Sequence, residues 1–210
     1  MNQVQKLNQL ADLSYFDRST LDQIVNINKK ALYENISRWI NQGKIIQLKK
    51  GLYVTADYYN RVKDREVYAE FIANHLRFPS YLSLEYILQK HGILSESVFA
   101  YTSVTLKTKR DYENELGRFV YRNINKDLFT DFEIKEKGEF AVKQAGVAKA
   151  LFDYLYLKLY REKNIDKPLL DSFRLNLEEL KPEDKSRFND FCQNVEIKKY
   201  KKLPDLLFQP

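Results

Sequence analysis

The sequence predicts an α+β protein, with an N-terminal winged helix-turn-helix followed by a mixed α/β domain that carries a small antiparallel or mixed sheet and C-terminal helices. Three observations point there. A capped amphipathic helix with a glycine stop spans 28–43 and leads into two short β runs; a series of strand-like segments lies between Val98 and Val142; a mostly apolar helical stretch runs from Gln144 to Tyr160. The 210 residues suffice for two domains with a proper core, expected at 1–58 and 62–210. Abundant aromatics, 15 Tyr and 13 Phe, argue against disorder on any large scale.

Taken in order, Val4, Leu7, Leu10 and Ala11 repeat at helical spacing and predict a first helix over 4–13. Tyr15-Phe16 leads into a second, with Asp17 or Ser19 as cap and Leu21, Ile24 and Val25 inward. Asn28 then caps a third helix, because its short side chain accepts from the free N–H groups two or three residues on. Ile27 and Leu32 form a hydrophobic staple across that cap. At roughly 100° per residue, Leu32, Ile36, Trp39 and Ile40 share one arc, and Gly43 supplies the stop. Ile45 to Leu48 and Leu52 to Thr55 read as short strands joined through Lys49-Lys50-Gly51.

Ala56 to Asp64 reads as a polar connection, and Glu66 to Leu76 as a helix. Phe78-Pro79-Ser80 breaks the chain, after which Ser80 or Ser83 is expected to cap a helix running to about His91 and ended by Gly92. His91 there reads as a structural residue favoured by the helix dipole. Strands follow over Ala100 to Lys107 and Arg118 to Ile124, then a pair at Phe132 to Lys135 and Glu139 to Val142 turning near Gly138. In the helix from Gln144 to Tyr160, Lys149 and Asp153 lie four apart and pair. Helices are expected near Leu169 to Leu177 and Pro182 to Gln193, with Glu196 to Lys202 as a solvated lysine-rich tail.

Charge placement carries the functional reading. Residues 28–51 hold Lys29, Lys30, Arg38, Lys44, Lys49 and Lys50 against Glu34, a net of +5 in a chain whose total is +6. Lys29 and Lys30 sit at a helix start, where the macrodipole disfavours cations by roughly 0.3–1 kcal/mol each. Phosphates offset that cost, which makes double-stranded operator DNA the expected partner. Lys29, Lys30, Tyr33, Ser37 and Arg38 are expected to approach the major groove, Arg38 facing guanine, while Lys49 and Lys50 grip phosphates. The competing account is a solvated basic face in which Lys30 and Arg38 merely pair with Glu34.

One cysteine, Cys192, excludes an internal disulfide, and with His75 and His91 it gives no metal-ligand spacing. No metal, cofactor or catalytic residue is expected. Met1 to Ala11 is polar and unlike a signal, and no apolar run approaches the ~20 residues that span a bilayer. A cytoplasmic protein without a membrane partner is expected.

The stretch Asn28 to Thr55, with Gly43 to Tyr53 at its centre, resembles the N-terminal winged domain of AbiEi-type antitoxins. Pro79 to Tyr86, His91 to Glu96 and Thr102 to Thr105 look like that family's second block. Gly117 to Ile124 and Lys149 to Tyr156 resemble its later blocks, in the family's order, so the resemblance covers roughly residues 5–160. It implies a transcriptional regulator of a type IV toxin-antitoxin system, which represses its own operon through the winged domain and counteracts a nucleotidyltransferase toxin. A stable complex with the toxin is not implied.

Two alternatives stand beside it. One is a stand-alone regulator whose second domain dimerises or senses a ligand. The other is a metal-dependent nuclease, since Glu133-Ile134-Lys135 and Glu196-Ile197-Lys198 match a Glu-x-Lys element, with Asp127 or Asp131 as the further acidic group.

Overall fold

A computed structural model describes residues 6–208 and shows a mixed α+β chain with two sheets, divided into two compact units. The first takes in the chain up to Tyr68 together with Tyr112–Gly117; the second takes in Ala69–Asp111 and the chain from Arg118 onward.

In the first unit, β1 (Phe16–Asp17), α1 (Arg18–Val25), α2 (Lys29–Asn41), β2 (Ile45–Lys49), β3 (Leu52–Thr55) and α3 (Ala56–Arg61) follow in order. The strands form an antiparallel sheet in the order β1-β3-β2. Asn28 caps α2 by accepting from the Ala31 N–H at 2.9 Å. Gly43, at φ +64, lets the chain turn back so that its N–H reaches the Ile40 carbonyl and the Lys44 N–H reaches that of Trp39, which satisfies two terminal carbonyls. The inner face of α2, Leu32, Ile36 and Trp39, is buried in one cluster with Leu10, Phe16, Leu21 and Tyr53, and Ile27 packs against it.

Three expectations change in this unit. Val4 lies outside the described residues, and the described part of the first helix tightens into a 3-10 turn at Asn8–Leu10. Phe16–Asp17 is a strand paired with Leu52 and Tyr53, held by the packing of the Phe16 and Tyr53 rings at 6.1 Å. Ala56–Arg61 is a helix and no plain connection, because the Thr55 hydroxyl accepts from the Tyr58 N–H and caps it.

The second sheet has six strands: β4 (Ser80–Leu82), β5 (Ala100–Thr105), β6 (Arg110–Asn114), β7 (Gly117–Asn123), β8 (Phe132–Lys137) and β9 (Phe140–Ala145), in the order β6-β7-β5-β4-β9-β8. It is mixed, with β4 antiparallel to β5 and parallel to β9, β5 parallel to β7, and β8–β9 an antiparallel hairpin. The helices are α4 (Arg65–Leu76), α5 (Glu85–Lys90), α6 (Val147–Lys158), α7 (Lys167–Asp171), α8 (Pro182–Asn194) and α9 (Leu203–Phe208).

Here Ser80 and Ser83 are not helix caps. Ser80 begins the buried strand β4, and the Ser83 hydroxyl donates to Asp153 at 2.8 Å, so α5 starts later and is shorter than expected. Gln144 and Ala145 belong to β9, and α6 begins beyond Gly146. Every residue of α6 from Ala148 to Tyr156 is buried, Lys149 and Asp153 included, and those two form the expected ion pair.

The end of the chain is no solvated tail. Tyr200 and Leu203 are fully buried, and the Lys199 ammonium donates to the carbonyls of Leu159, Tyr160 and Glu162. A cation there satisfies the Tyr160 and Glu162 carbonyls beyond the end of α6 and adds a second donor to the Leu159 carbonyl, which also accepts from the Glu162 N–H.

Candidate nucleic-acid interface

The outer face of α2 and the β2–β3 turn hold all seven residues singled out by the sequence. Lys29, Lys30, Tyr33, Ser37 and Arg38 are exposed along the helix, Lys50 is exposed at the turn, and Lys49 is half-buried. Among the described residues, neither Lys30 nor Arg38 forms an ion pair with Glu34. Arg38 instead donates from Nη2 to the Asn35 side-chain oxygen at 2.6 Å, one turn back on its own helix. That bond uses one of five guanidinium N–H groups and steadies the fork.

These residues line two concavities that share Tyr33. One, bounded by Asp17, Arg18, Asp22, Lys29, Tyr33, Lys50 and Gly51 among others, runs between α1, α2 and the turn. The other is a shallow patch of Tyr33, Glu34, Ser37, Arg38, Asn41 and Gln42 on α2 alone. Lys30 and Lys49 line neither.

Arg18 is the participant that sequence reasoning missed. Its Nη1 donates to the Tyr33 hydroxyl, and its guanidinium lies 5.4 Å from that ring's centroid. Its backbone N–H donates to the Gly51 carbonyl at 3.1 Å, which ties the start of α1 to the turn. A signal was present: like Lys29 and Lys30, Arg18 is a cation in the first turn of a helix, where the dipole disfavours it.

The groove is not uniformly basic. Asp17 accepts from the Ser19 hydroxyl and the Thr20 N–H, and those bonds hold its carboxyl below the ordinary range, so it stays charged. Asp17 and Asp22 therefore sit among Arg18, Lys29 and Lys50, which leaves the rim and the α2 face as the more attractive places for an anion.

The Glu-x-Lys elements fall elsewhere. Glu133 and Lys135 are exposed on β8 and pair with each other at 3.7 Å. Asp127, Asp131 and Glu196 line one cavity together, and neither Glu133 nor Lys135 is among its walls. Among the described residues, no group of three or more His, Cys, Asp or Glu side chains could hold a metal ion, and no helix is long and apolar enough to cross a membrane.

Compared with family models and with curated proteins, the sequence finds no match.

Proposed function

We propose that the chain binds double-stranded DNA as a winged helix-turn-helix, with α2 in the major groove and the β2–β3 turn on the backbone beside it. The observation that carries this reading is the grouping of Lys29, Lys30 and Lys50, exposed and without an anionic partner among the described residues, around a helix start that itself attracts anions. Cations stand there although they disfavour the free helix. Arg38 and Ser37 on the same face are the base-reading candidates, and the Arg18–Tyr33 pair supports the helix flank.

The ordered blocks that resemble AbiEi-type antitoxins extend the proposal: the protein represses its own operon and counteracts a nucleotidyltransferase toxin encoded beside it. The first test is fluorescence anisotropy of the full chain on its own promoter across a salt series. Lys29→Ala with Lys50→Ala is expected to weaken binding to every sequence and lower the salt slope by about two, near 0.9 for each phosphate no longer neutralised. Arg38→Ala is expected to relax discrimination at one base pair. Binding that is absent, or a slope unchanged in the double variant, overturns the DNA reading. Co-expression with the adjacent toxin tests the second part, and failure to rescue growth removes it.

A further inference from the structure

The second unit contains a cavity of about 400 Å³ walled by Leu84, Val98, Val120, Tyr154 and Leu157, with Arg122, Lys158 and Glu85 at its polar side. We propose that this cavity binds a small organic carboxylate, its anionic end held by Arg122 and Tyr154 and its apolar body against the aliphatic wall. The inference stands independently of DNA binding.

Tyr154 is the first reason. It is 7% exposed, and among the described residues its hydroxyl has no hydrogen-bond partner. Its ring is fixed on other sides, with the Lys158 ammonium 5.2 Å from the centroid and Phe173 edge-on at 6.0 Å. Burial, with the charges of Glu85 and Glu96, pushes its pKa up to about 12, so at neutral pH the group is a proton donor. The ring is enclosed while the hydroxyl reaches accessible space, where a ligand can accept from it.

Arg122 is the second. Its Nη1 is spent on Asp111 at 2.9 Å and on the Tyr121 carbonyl at 3.1 Å, while Nε and Nη2 have no partner among the described residues. The remaining edge of a planar fork whose other corner is anchored matches the two oxygens of a carboxylate. Lys158 is already paired with Glu85 at 3.4 Å, which occupies the one carboxylate on the wall and leaves the free edge of Arg122 as the charged group open to a ligand. An anion is therefore preferred over a cation.

The third is the corner that shapes the wall. Leu84 has φ +62 and ψ −143, a region that glycine occupies readily and leucine does not. Thr102 holds it there: its hydroxyl donates to the Ser83 carbonyl at 2.6 Å and accepts from the Tyr86 N–H at 3.0 Å. Held in that shape, Leu84 is one of the residues that wall the cavity.

Isothermal titration calorimetry of the full chain with benzoate and hexanoate tests the site, with benzamide and inorganic phosphate as controls. Benzoate is expected to bind with a dissociation constant on the order of 0.1–1 mM, which is what so small a ligand reaches, and benzamide at least tenfold more weakly. Tyr154→Phe, which removes one oxygen and keeps the ring, is expected to weaken benzoate about tenfold, and Arg122→Gln at least as much. Each variant is checked for the parent's circular dichroism spectrum, and Tyr154→Phe alone decides the matter if Arg122→Gln fails to fold. No heat from either carboxylate up to about 10 mM, equal affinity for benzamide, phosphate bound in their place, or binding unchanged in Tyr154→Phe overturns the proposal.

Discussion

Lys149→Met is expected to destabilise the second unit by about 3–5 kcal/mol, because it removes the cation paired with a fully enclosed carboxylate. Asp153 is completely buried; its Oδ1 accepts from the Lys149 ammonium, and its Oδ2 accepts from the Tyr81 hydroxyl at 2.9 Å and the Ser83 hydroxyl at 2.8 Å. Two hydroxyls cannot replace a charge. Burial already pushes the Asp153 carboxyl above its ordinary range, in opposition to Lys149 and the two hydroxyls, and loss of the cation pushes it further. The sign follows from linkage. A carboxyl whose folded pKa exceeds its unfolded value near 3.8 contributes stability below the unfolded value, and that contribution is lost as pH rises through the folded one. The variant is therefore expected to unfold more easily at about pH 8 than at about pH 5, with a slope of at most about 1.4 kcal/mol per pH unit. Urea titration followed by far-UV circular dichroism measures both quantities. Adding Asp153→Asn to Lys149→Met is expected to recover most of the loss, since the amide oxygen still accepts from Tyr81 and Ser83 without a charge. A loss below about 1 kcal/mol, or one equal at both pH values, refutes the account of an enclosed charge pair.

Two further outcomes follow from the same physics. Lys29→Ala with Lys30→Ala is expected to stabilise the free protein by about 0.3–1 kcal/mol per site in thermal denaturation while weakening DNA binding, because the cations leave the positive end of α2. Lys199→Met is expected to cost about 1–3 kcal/mol through the three carbonyls it abandons, whereas Lys198→Ala, on the exposed neighbour, stays within about 0.5 kcal/mol; equal effects in denaturant titration would return Lys199 to the surface.

What could be read in the sequence was what is decided locally. The cap at Asn28, the buried stripe of Leu32, Ile36 and Trp39, and the left-handed Gly43 are all settled within one helix and its two ends. The β8–β9 hairpin is similarly local, with Gly138 at φ +62 in its turn. Elements that depend on distant partners were not legible. β1 is two residues long and exists because β3 is there to pair with it; β4 is three residues, buried throughout, and carries no alternation to betray a strand. Ser80, which begins it, and Ser83, just after it, look like caps because capping is a common local use of serine, yet Ser83 is committed to Asp153, seventy residues on. Lysine count misled at the chain's end for the same reason, since the carbonyls that fix Lys199 lie almost forty residues earlier.

That distinction separates the two candidate sites. The basic face is carried largely by a single helix and the turn after it, so sequence alone assembles it, and Arg18 escaped only because it belongs to the neighbouring helix. The cavity of the second unit joins Leu84 on one side of a corner, Val98 and Val120 from other parts of the sheet region, and Tyr154 from α6. Asp153 is the residue next to Tyr154, and it fixes α6 through Tyr81 and Ser83, the latter adjoining Leu84. The buried charge pair thus holds both the phenol and the strained corner from behind. A variant that loosens it is expected to lose carboxylate affinity at a pH where the unit is still folded, although neither Lys149 nor Asp153 lines the cavity. Benzoate titration of Lys149→Met at about pH 5, where the neutral carboxyl is best tolerated, separates this positioning role from simple unfolding. Full affinity under those conditions would show that Tyr154 and Leu84 keep their places without the pair.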